Sequence, residues 1–190
     1  VRKELRIENN DVLLHVGSFN DVKNHSFLIE LFNEYIKYNP KAILILVGDG
    51  PLIGRIKNMV FRLKIQEKII FVGQSNRVNE YMMASDCFLL PSKYESFGIV
   101  NIEAQTTGLP CIVSTTVPDG AKISENYYSV DLEKKEEWIR YIDICLDISK
   151  KSNRLKGYEN LYESDFSSSF TAKELMDYYL MIAKNEFSKK

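Results

Sequence analysis

The sequence lacks a long apolar run and an excess of charge of either sign. No run reaches the roughly 18 residues that a membrane-spanning helix needs. The N-terminus also lacks the basic end, apolar core and small-residue cleavage site that are typical of secretion. Lys and Arg number 25 and Asp and Glu 26, so the net charge of -1 gives no general attraction to nucleic acid. These absences predict a cytoplasmic protein with no nucleic-acid partner.

Cysteine is also scarce, with three residues in a chain of 190. They stand at Cys87, Cys111 and Cys145, an odd number without the spacing of a metal site. Cys87 and Cys111 lie inside apolar runs, where they are interpreted as small core residues. We therefore expect reduced thiols, which are typical of a cytoplasmic location, and no metal site.

Apolar residues are abundant, at 45% of the total, and they are grouped into six short runs. Because most of these runs are apolar on both faces, they predict buried strands. The segments between them have helical spacing, and strands that alternate with helices predict a parallel sheet with right-handed crossovers. The expected fold class is α/β, a Rossmann-like doubly wound parallel sheet of about six strands with C-terminal helices. The predicted strands are 12–16, 42–47, 68–72, 87–91, 110–114 and 127–132.

The last part of the chain is predicted to be a helical extension, at about 133–190. No second set of strands follows it, so residues 1–190 are expected to form a single domain. Tyr178, Tyr179 and Leu180 lie in the last helical segment, where they predict an apolar patch that packs on another domain.

Candidate ligand-binding turns follow the predicted strands. In an open parallel sheet, ligands bind beyond the carboxyl ends of the strands, where loops and helix N-termini meet. Three of four such turns have a glycine directly after the strand, which lets the backbone approach a ligand closely. Turns between strands and helices also use glycine without any ligand, so the pattern favours a binding site only modestly. The four turns are 17–24, 48–51, 73–77 and 91–98.

The last of these turns opens the stretch ESFGIVNIE, which has carboxylates at Glu95 and Glu103 and no cation between them. If Ser96 caps a helix that begins near Phe97, the free amides and the helix dipole form a site suited to phosphate. Glu103 would lie two turns along the same face, and Glu95 in the incoming loop. A nucleotide-sugar fits such a site, because its diphosphate is central and both ends carry hydroxyl groups. The alternative is that both acids are solvated surface residues.

Two common nucleotide-binding fingerprints are absent. GSFNDV lacks the G-x-G-x-x-G of dinucleotide dehydrogenases, and no G-K-S/T follows a glycine loop as in P-loop NTPases. A non-catalytic nucleotide-binding or receiver-like α/β module stays open as the alternative to an enzyme.

Several segments together resemble one enzyme family. DCFLLPSKYESFGIVNIEAQTTGLPCIVS, at 86–114, is similar to the E-x7-E region of retaining glycosyltransferases with the GT-B fold, of the family 4 type. GSFNDVKNHSFLIELF resembles the first βα unit of that family, and LVGDGPL resembles its second. The resemblance runs from Val12 to Val130, and the last helix is similar to the family's C-terminal crossing helix.

The resemblance implies roles for individual residues. Glu95 would be the catalytic residue that orients the donor sugar without attacking it, Lys23 would neutralise the diphosphate, and Glu103 would bind the ribose. The base would meet loop 75–77. The arginine that usually follows the first-strand glycine is Ser18 here, which departs from the family pattern. The donor-binding residues expected in this way are Gly17, Ser18, Lys23, Ser75, Arg77, Ser96, Phe97, Gly98, Ile99 and Glu103.

The same resemblance implies a reaction. The chain would be the donor-binding half of an enzyme that transfers a hexose from a nucleoside diphosphate sugar, a UDP-sugar, to a glycan or lipid-linked acceptor in surface polysaccharide synthesis. An absent N-terminal acceptor domain would be its partner, so the chain alone is expected to be inactive. No cofactor or metal ion is implied, and the full enzyme is expected to associate peripherally with the inner face of the membrane. His15 is interpreted as a core residue and His25 as a helix-start residue, so neither is assigned to catalysis.

Overall fold

The structure, a computed structural model, describes residues 1–151, 154–162, 164 and 166–187. Its strands are β1 (Asp11–Val16), β2 (Ala42–Val47), β3 (Ile69–Gly73), β4 (Cys87–Leu90), β5 (Cys111–Ser114) and β6 (Tyr127–Val130). They form one sheet in the order β3-β2-β1-β4-β5-β6, and every pairing is parallel. The predicted doubly wound α/β fold is confirmed, and each strand lies where its apolar run predicts it.

Helices connect and follow these strands. They are α1 (Arg2–Leu5), α2 (His25–Tyr35), α3 (Ile53–Leu63), α4 (Val78–Ala84), α5 (Ile99–Thr106), α6 (Lys135–Lys151), α7 (Lys156–Tyr162) and α8 (Ser168–Phe187). Short 3-10 turns occur at Gln66–Lys68 and Asp119–Ala121.

The sheet is covered on both faces, which explains why its strands are apolar throughout. Every residue of β2 is buried. On one face, α3 and α6 contribute Ile56 and Trp138 to the core together with α2. On the other face, α4 and α5 contribute Met82 and Ile102. A large apolar side chain contributes roughly 1.5–3 kcal/mol when it is fully buried, so these two layers carry most of the folding energy.

The winding direction of the sheet reverses between β1 and β4. From β1 the chain moves outward to β2 and β3, then returns to β4 beside β1 and continues to β5 and β6. Helices α2 and α5, which follow the turns after β1 and β4, therefore lie on opposite faces of the sheet and leave a crevice at its carboxyl edge. Gly48, in the turn after β2, lies so close to this crevice that a Cβ would come within 2.1 Å of the Gly17 carbonyl oxygen.

The C-terminal extension is helical, as predicted. α7 packs on α5, and a Cβ on Gly157 would lie 2.3 Å from the amide nitrogen of Gly108. α8 exposes half or more of the surface of six large apolar side chains, Leu175, Met176, Tyr178, Tyr179, Leu180 and Met181. Within the described residues, no helix combines the length and the apolar character that crossing a bilayer requires.

Candidate functional site

Two loops at the carboxyl edge of the sheet are tied to each other. Loop 17–24 follows β1, and loop 91–98 follows β4. The backbone amide of Lys93 donates to the carbonyl oxygen of Val22 at 2.8 Å. The Lys93 ammonium also lies 2.9 Å from the Asp21 carboxylate. Because β1 and β4 are neighbours in the sheet, loops that are distant in sequence form one edge of the crevice.

An ion pair between Lys23 and Glu95 lies where these loops meet. Nζ of Lys23 is 2.5 Å from Oε2 of Glu95, and the Ser92 hydroxyl donates to the same oxygen at 3.3 Å. The two charged side chains are only 19% and 11% exposed, so each largely depends on the other for compensation. The stretch between Glu95 and Glu103 contains no cation, and Glu95 pairs with one from a loop 72 positions away.

Helix α5 begins at Ile99, later than predicted, and Ser96 does not cap it. The N-cap residue is Gly98, with φ 69° and ψ 47°, and the Asn101 amide donates to its carbonyl oxygen at 2.8 Å. This left-handed conformation favours glycine, so the chain turns at Gly98 and Ser96 stays in the loop. The predicted cap was therefore wrong. The first amides of α5 still have no intrahelical acceptor, and Ile99 and Val100 line the crevice.

The crevice contains a cavity of about 350 Å³ between loop 17–24 and α5. Cavities of roughly 300–1,000 Å³ are typical of small-molecule sites. Its charged groups are Lys23 and Glu95, and Val16 and Val100 contribute apolar surface. The structure thus brings together seven of the predicted site residues, Gly17, Lys23, Glu95, Ser96, Phe97, Gly98 and Ile99.

Four predicted site residues lie outside the lining of this cavity. Ser18 is exposed, and its carbonyl oxygen accepts from the Asn20 amide at 2.8 Å. Glu103 is exposed on α5. The hydroxyl of Ser75 accepts from the Arg77 amide at 3.0 Å, which orders the turn after β3. Roles of these residues in donor binding remain predictions.

Arg77, the fourth of these residues, uses its guanidinium in surface ion pairs. Nη2 lies 2.8 Å from Glu80 and 3.1 Å from Glu4. Hydrogen bonds to Glu80 and Glu4 raise the pKa of Arg77, and the same bonds lower the pKa values of both carboxyl groups. The family arginine that Ser18 replaces would bring a positive charge to the cavity. In this arrangement Arg77 does not supply that charge.

Two buried histidines lie next to the cavity floor. Nδ1–H of His15 donates to the carbonyl oxygen of Leu89 at 2.8 Å, and its Nε2 lies 3.1 Å from where a Gly17 Cβ would be. His25 stacks on Phe19, with 3.9 Å between ring centroids, and meets His15 edge-on at 4.6 Å. Burial lowers the pKa of His15 to about 4 and that of His25 to about 2. Both rings are therefore neutral at pH 7, and His15 is the core residue that its strand position predicts.

Sequence comparison identifies the family of this chain. Residues 1–160 match the family described as glycosyl transferases group 1. The chain belongs to this family.

Two curated relatives of the group 1 glycosyltransferase chain are longer proteins. The putative glycosyltransferase EpsF of Bacillus subtilis (strain 168) is 37% identical over 108 residues, which are 57% of this chain and 28% of that protein. The UDP-Gal:alpha-D-GlcNAc-diphosphoundecaprenol alpha-1,3-galactosyltransferase of Escherichia coli is 29% identical over 158 residues, 78% of this chain and 41% of that protein. The chain thus spans less than half the length of these two relatives.

A solved structure has the same fold. The crystal structure of Anabaena Alr3699/HepE in complex with UDP aligns with a TM-score of 0.77 at 21% identity, over 95% of this chain and 51% of that chain. The fold of the group 1 chain is that of the C-terminal domain of GT-B glycosyltransferases. Among the described residues, no three His, Cys, Asp or Glu side chains gather in a way that could hold a metal ion.

A buried amide pair on α5 of this glycosyltransferase chain was not identified from the sequence. Asn101 and Gln105 are both fully buried. Nε2 of Gln105 donates to the Ala121 carbonyl oxygen at 2.8 Å, and its Oε1 accepts from the amides of Ile123 and Ser124 at 2.9 and 3.0 Å. Nδ2 of Asn101 donates to the same Ala121 oxygen at 3.3 Å.

This amide clamp holds the segment after β5 against the start of α5. Val117, in that segment, lies 3.6 Å from the position of a Gly98 Cβ, so it supports the residue that begins the helix. A sequence signal for the clamp was present, since Asn101 and Gln105 are two amides one turn apart on a predicted core helix. Most buried polar side-chain atoms have a hydrogen-bond partner, but Oδ1 of Asn101 has none among the described residues.

Proposed function

We propose that the chain binds a nucleoside diphosphate sugar, a UDP-sugar, in the cavity between loop 17–24 and α5. It would act as the donor-binding domain of a retaining, family 4-type glycosyltransferase with an E-x7-E motif. The Lys23–Glu95 pair beside the first amides of α5 carries this proposal. An ammonium and free amides suit a diphosphate, and a carboxylate suits sugar hydroxyls. The presence of UDP in the HepE complex supports uracil as the base.

The donor would change the partner of Lys23. A diphosphate on the amides of Phe97, Gly98 and Ile99 brings more negative charge to the ammonium than one carboxylate does. Lys23 would then turn to the diphosphate and release Glu95, whose oxygens accept hydroxyl groups of the donor sugar. Glu103 would accept the ribose hydroxyls. The base would lie toward the turn that contains Ser75 and Arg77, near Gly17 and Ser18.

Charge stabilisation accounts for the transfer step. As the bond between the anomeric carbon and the leaving phosphate oxygen breaks, negative charge grows on the nucleoside diphosphate. Lys23 and the α5 amides stabilise this charge, which is why the proposal includes no metal ion. Glu95 holds the sugar and stabilises the positive charge at the anomeric carbon without attacking it. An acceptor hydroxyl forms the new bond with retention of configuration and passes its proton to the leaving phosphate oxygen.

The acceptor would be held by a second domain of the enzyme. The name of the Escherichia coli relative specifies a diphosphoundecaprenol-linked acceptor, which supports a glycan or lipid-linked acceptor for this chain as well. We infer a hexose donor and a role in surface polysaccharide synthesis at the cytoplasmic face of the membrane. The exposed apolar side chains of α8 would dock on the N-terminal acceptor domain. Without that domain the chain would bind the donor and transfer nothing.

Titration calorimetry with UDP tests the donor site. The chain should bind UDP without added Mg²⁺. The Lys23→Gln variant should bind it about 30-fold more weakly, because a charged hydrogen bond to phosphate contributes about 2 kcal/mol. Lys93→Gln is the matched control, since Lys93 lies in the same loop pair but bonds the exposed Asp21. Failure of the chain to bind UDP, or equal losses in both variants, would contradict the proposal.

The reaction itself is tested with the intact enzyme. The anomeric configuration of the product, read from its NMR coupling constant, should match that of the donor. The chain without the acceptor domain should give no product under the same conditions. An inverted product would refute the retaining mechanism, and product from the chain alone would refute the need for a second domain.

A further inference from the structure

Helix α3 has a cationic outer surface that takes no part in the donor cavity. No Asp or Glu occurs between Gly50 and Gln66, while four cations do, Arg55, Lys57, Arg62 and Lys64. The whole chain has a net charge of -1. Segment 50–66 therefore concentrates positive charge on a molecule whose charges are otherwise balanced.

The helical repeat separates this charge from the core. Ile56 and Val60 are buried and pack against the sheet. Phe61 points away from the core and is 69% exposed, which is unusual for a large aromatic side chain. A surface groove of about 550 Å³ is lined by Arg55, Asn58, Phe61 and Arg62. The aromatic ring thus stands beside two guanidinium groups on one side of a single helix.

The cations of α3 are not neutralised within the described part of the chain. No described carboxylate forms a salt bridge with any of them, and Lys57 lies 5.4 Å from the ring centroid of Phe71. Elsewhere in the chain, exposed cations are paired: Lys93 contacts Asp21, and Lys135 contacts Glu30. The four charges of segment 50–66 are therefore available to an anionic partner.

We propose that the outer face of α3 docks on an anionic lipid bilayer. Arg55 and Arg62 are seven residues apart, so they lie on the same side of the helix and roughly 10 Å apart along its axis. At that spacing they reach the phosphates of two different lipids, and guanidinium groups bind phosphate in a bidentate manner. Phe61, between them, enters the boundary between headgroups and acyl chains, where aromatic side chains are favoured.

A bilayer fits this surface better than a folded acidic protein does. A protein partner would have to provide a pocket for Phe61 in addition to carboxylates for the arginines. A bilayer provides lipid phosphates and, below them, the apolar acyl chains at every point of contact. The helix also needs no rearrangement, because its apolar side is already committed to the sheet.

The connection between α2 and β2 extends the docking surface. Tyr38 is 77% exposed, and it lies between Lys37 and Lys41. α2 and α3 pack on the same face of the sheet and both end at its amino edge. Nζ of Lys68, in the turn after α3, donates to the Pro40 carbonyl oxygen at 2.5 Å, which ties these two connections together. A second exposed aromatic residue flanked by lysines therefore stands at the C-terminal end of α3.

The purpose of docking rests on the proposed function, because docking would bring the donor site close to a lipid-linked acceptor. Binding to the bilayer needs no nucleotide, so membrane docking and donor binding can be tested separately. Co-sedimentation measures docking, with vesicles of phosphatidylcholine alone and of equal parts phosphatidylcholine and phosphatidylglycerol. The chain should bind the anionic vesicles and not the neutral ones. UDP titration of the same samples reports on the donor cavity.

Variants identify the surface that docks. Arg55→Gln with Arg62→Gln should weaken binding to anionic vesicles about 30-fold, the effect expected for two cations at a membrane surface. Lys3→Gln with Lys151→Gln removes the same charge from exposed positions outside α3 and should have little effect. Phe61→Ser should have its largest effect at high salt, where the electrostatic contribution is screened. All of these variants should bind UDP as the parent chain does.

Three outcomes would overturn the proposal. The first is equal binding to neutral and anionic vesicles, and the second is an equal loss in the arginine variant and the lysine control. The third is full displacement from vesicles by millimolar glycerol phosphate, which would assign the groove to a soluble phosphate compound and not to a bilayer.

Discussion

Lys23 and Glu95 compensate each other in the structure, and the diphosphate of the proposed donor would have to separate them. At the scale of single residues this makes the pair a competitor of the donor, because the ammonium cannot bond strongly to both anions at once. The pair also gives each of the two side chains a partner of opposite charge in a partly buried place. Its two members therefore have opposite expected effects on nucleotide binding, although both belong to the proposed donor site.

Glu95→Gln is expected to tighten UDP binding while it reduces transfer. A neutral amide holds the ammonium less strongly and does not repel the diphosphate. If the substitution weakens the bond between residue 95 and Lys23 by roughly 1 kcal/mol, UDP should bind about fivefold more tightly. In the intact enzyme, the same substitution should lower kcat, because the sugar loses its charged partner. Calorimetry and a transfer assay measure the two effects.

Asp21→Asn is the control for that substitution. Asp21 also pairs with a lysine of the neighbouring loop, but it is largely exposed and lies outside the cavity lining. UDP binding should be unchanged in this variant. Weaker UDP binding by Glu95→Gln would show that the pair holds Lys23 in place for the donor and does not compete with it.

The beginning of α5 decides the shape of the site at the scale of secondary structure. Gly98 has φ 69°, and a Cβ there would lie 3.2 Å from Cγ of Glu95. A side chain at this position would strain the backbone and push against the Glu95 side chain. The amide clamp of Asn101 and Gln105 then fixes the segment that supports this turn. The proposed donor site thus depends on one glycine and on a hydrogen-bond network one turn away.

Gly98→Ala is expected to lower the free energy of unfolding by about 1–2 kcal/mol and to weaken UDP binding. Gly54→Ala is the matched control, since Gly54 lies in the first turn of α3, where an added Cβ would have no atom within 4 Å and φ is not positive. That variant should be more stable by up to about 1 kcal/mol, because alanine favours the helix. Urea unfolding measures both changes. Equal stability of the two variants would show that Gly98 is not held in the left-handed conformation.

Gln105→Leu tests the clamp. Four hydrogen bonds are lost, and the amides of Ile123 and Ser124 lose their partner, while the Ala121 carbonyl keeps only its bond to Asn101. Because buried polar groups without partners cost about 1–3 kcal/mol each, we expect a loss of at least about 2 kcal/mol in the free energy of unfolding. Gln74→Leu, at an exposed position, should stay within about 0.5 kcal/mol of the parent chain. A small effect of Gln105→Leu would mean that the segment after β5 finds other partners.

The sequence predicts the strands better than it predicts individual side-chain contacts. The six strands were predicted correctly, because burial on both faces leaves a continuous apolar run in each. The start of α5 was not, since Ser96 has a local preference for capping and the left-handed turn at Gly98 depends on contacts with Val117 and Glu95. The Lys23–Glu95 pair also escaped prediction, because it exists only where β1 and β4 lie side by side.

Stability of the whole molecule should depend on pH through its two histidines. In the unfolded chain histidine has a pKa of 6.5, and burial lowers the pKa to about 4 for His15 and about 2 for His25. Below pH 6.5 the unfolded state therefore binds more protons than the folded state, so stability is lost as the pH falls from 6.5 toward 4. At about pH 5 each histidine should cost roughly 2 kcal/mol relative to neutral pH.

His25→Phe is expected to flatten this pH dependence. Both ring nitrogens of His25 have no hydrogen-bond partner among the described residues, and its ring stacks on Phe19, so phenylalanine keeps the stacking and removes the titrating group. Urea unfolding at pH 7 and pH 5 should show a difference about 2 kcal/mol smaller in the variant. His15→Phe is the comparison, since it also loses the bond to Leu89 and should be less stable at both pH values. An unchanged pH dependence in His25→Phe would show that His25 is protonated in the folded state.

The reversal of winding between β1 and β4 also governs the order in which the molecule becomes functional. During synthesis, Lys23 leaves the ribosome long before Glu95 and the amides of α5 do. A nascent chain that ends before β4 has one wall of the crevice and nothing opposite to it. Such a chain would lack Glu95 and the α5 amides of the proposed donor site, so nucleotide binding there would require the central strands to be assembled.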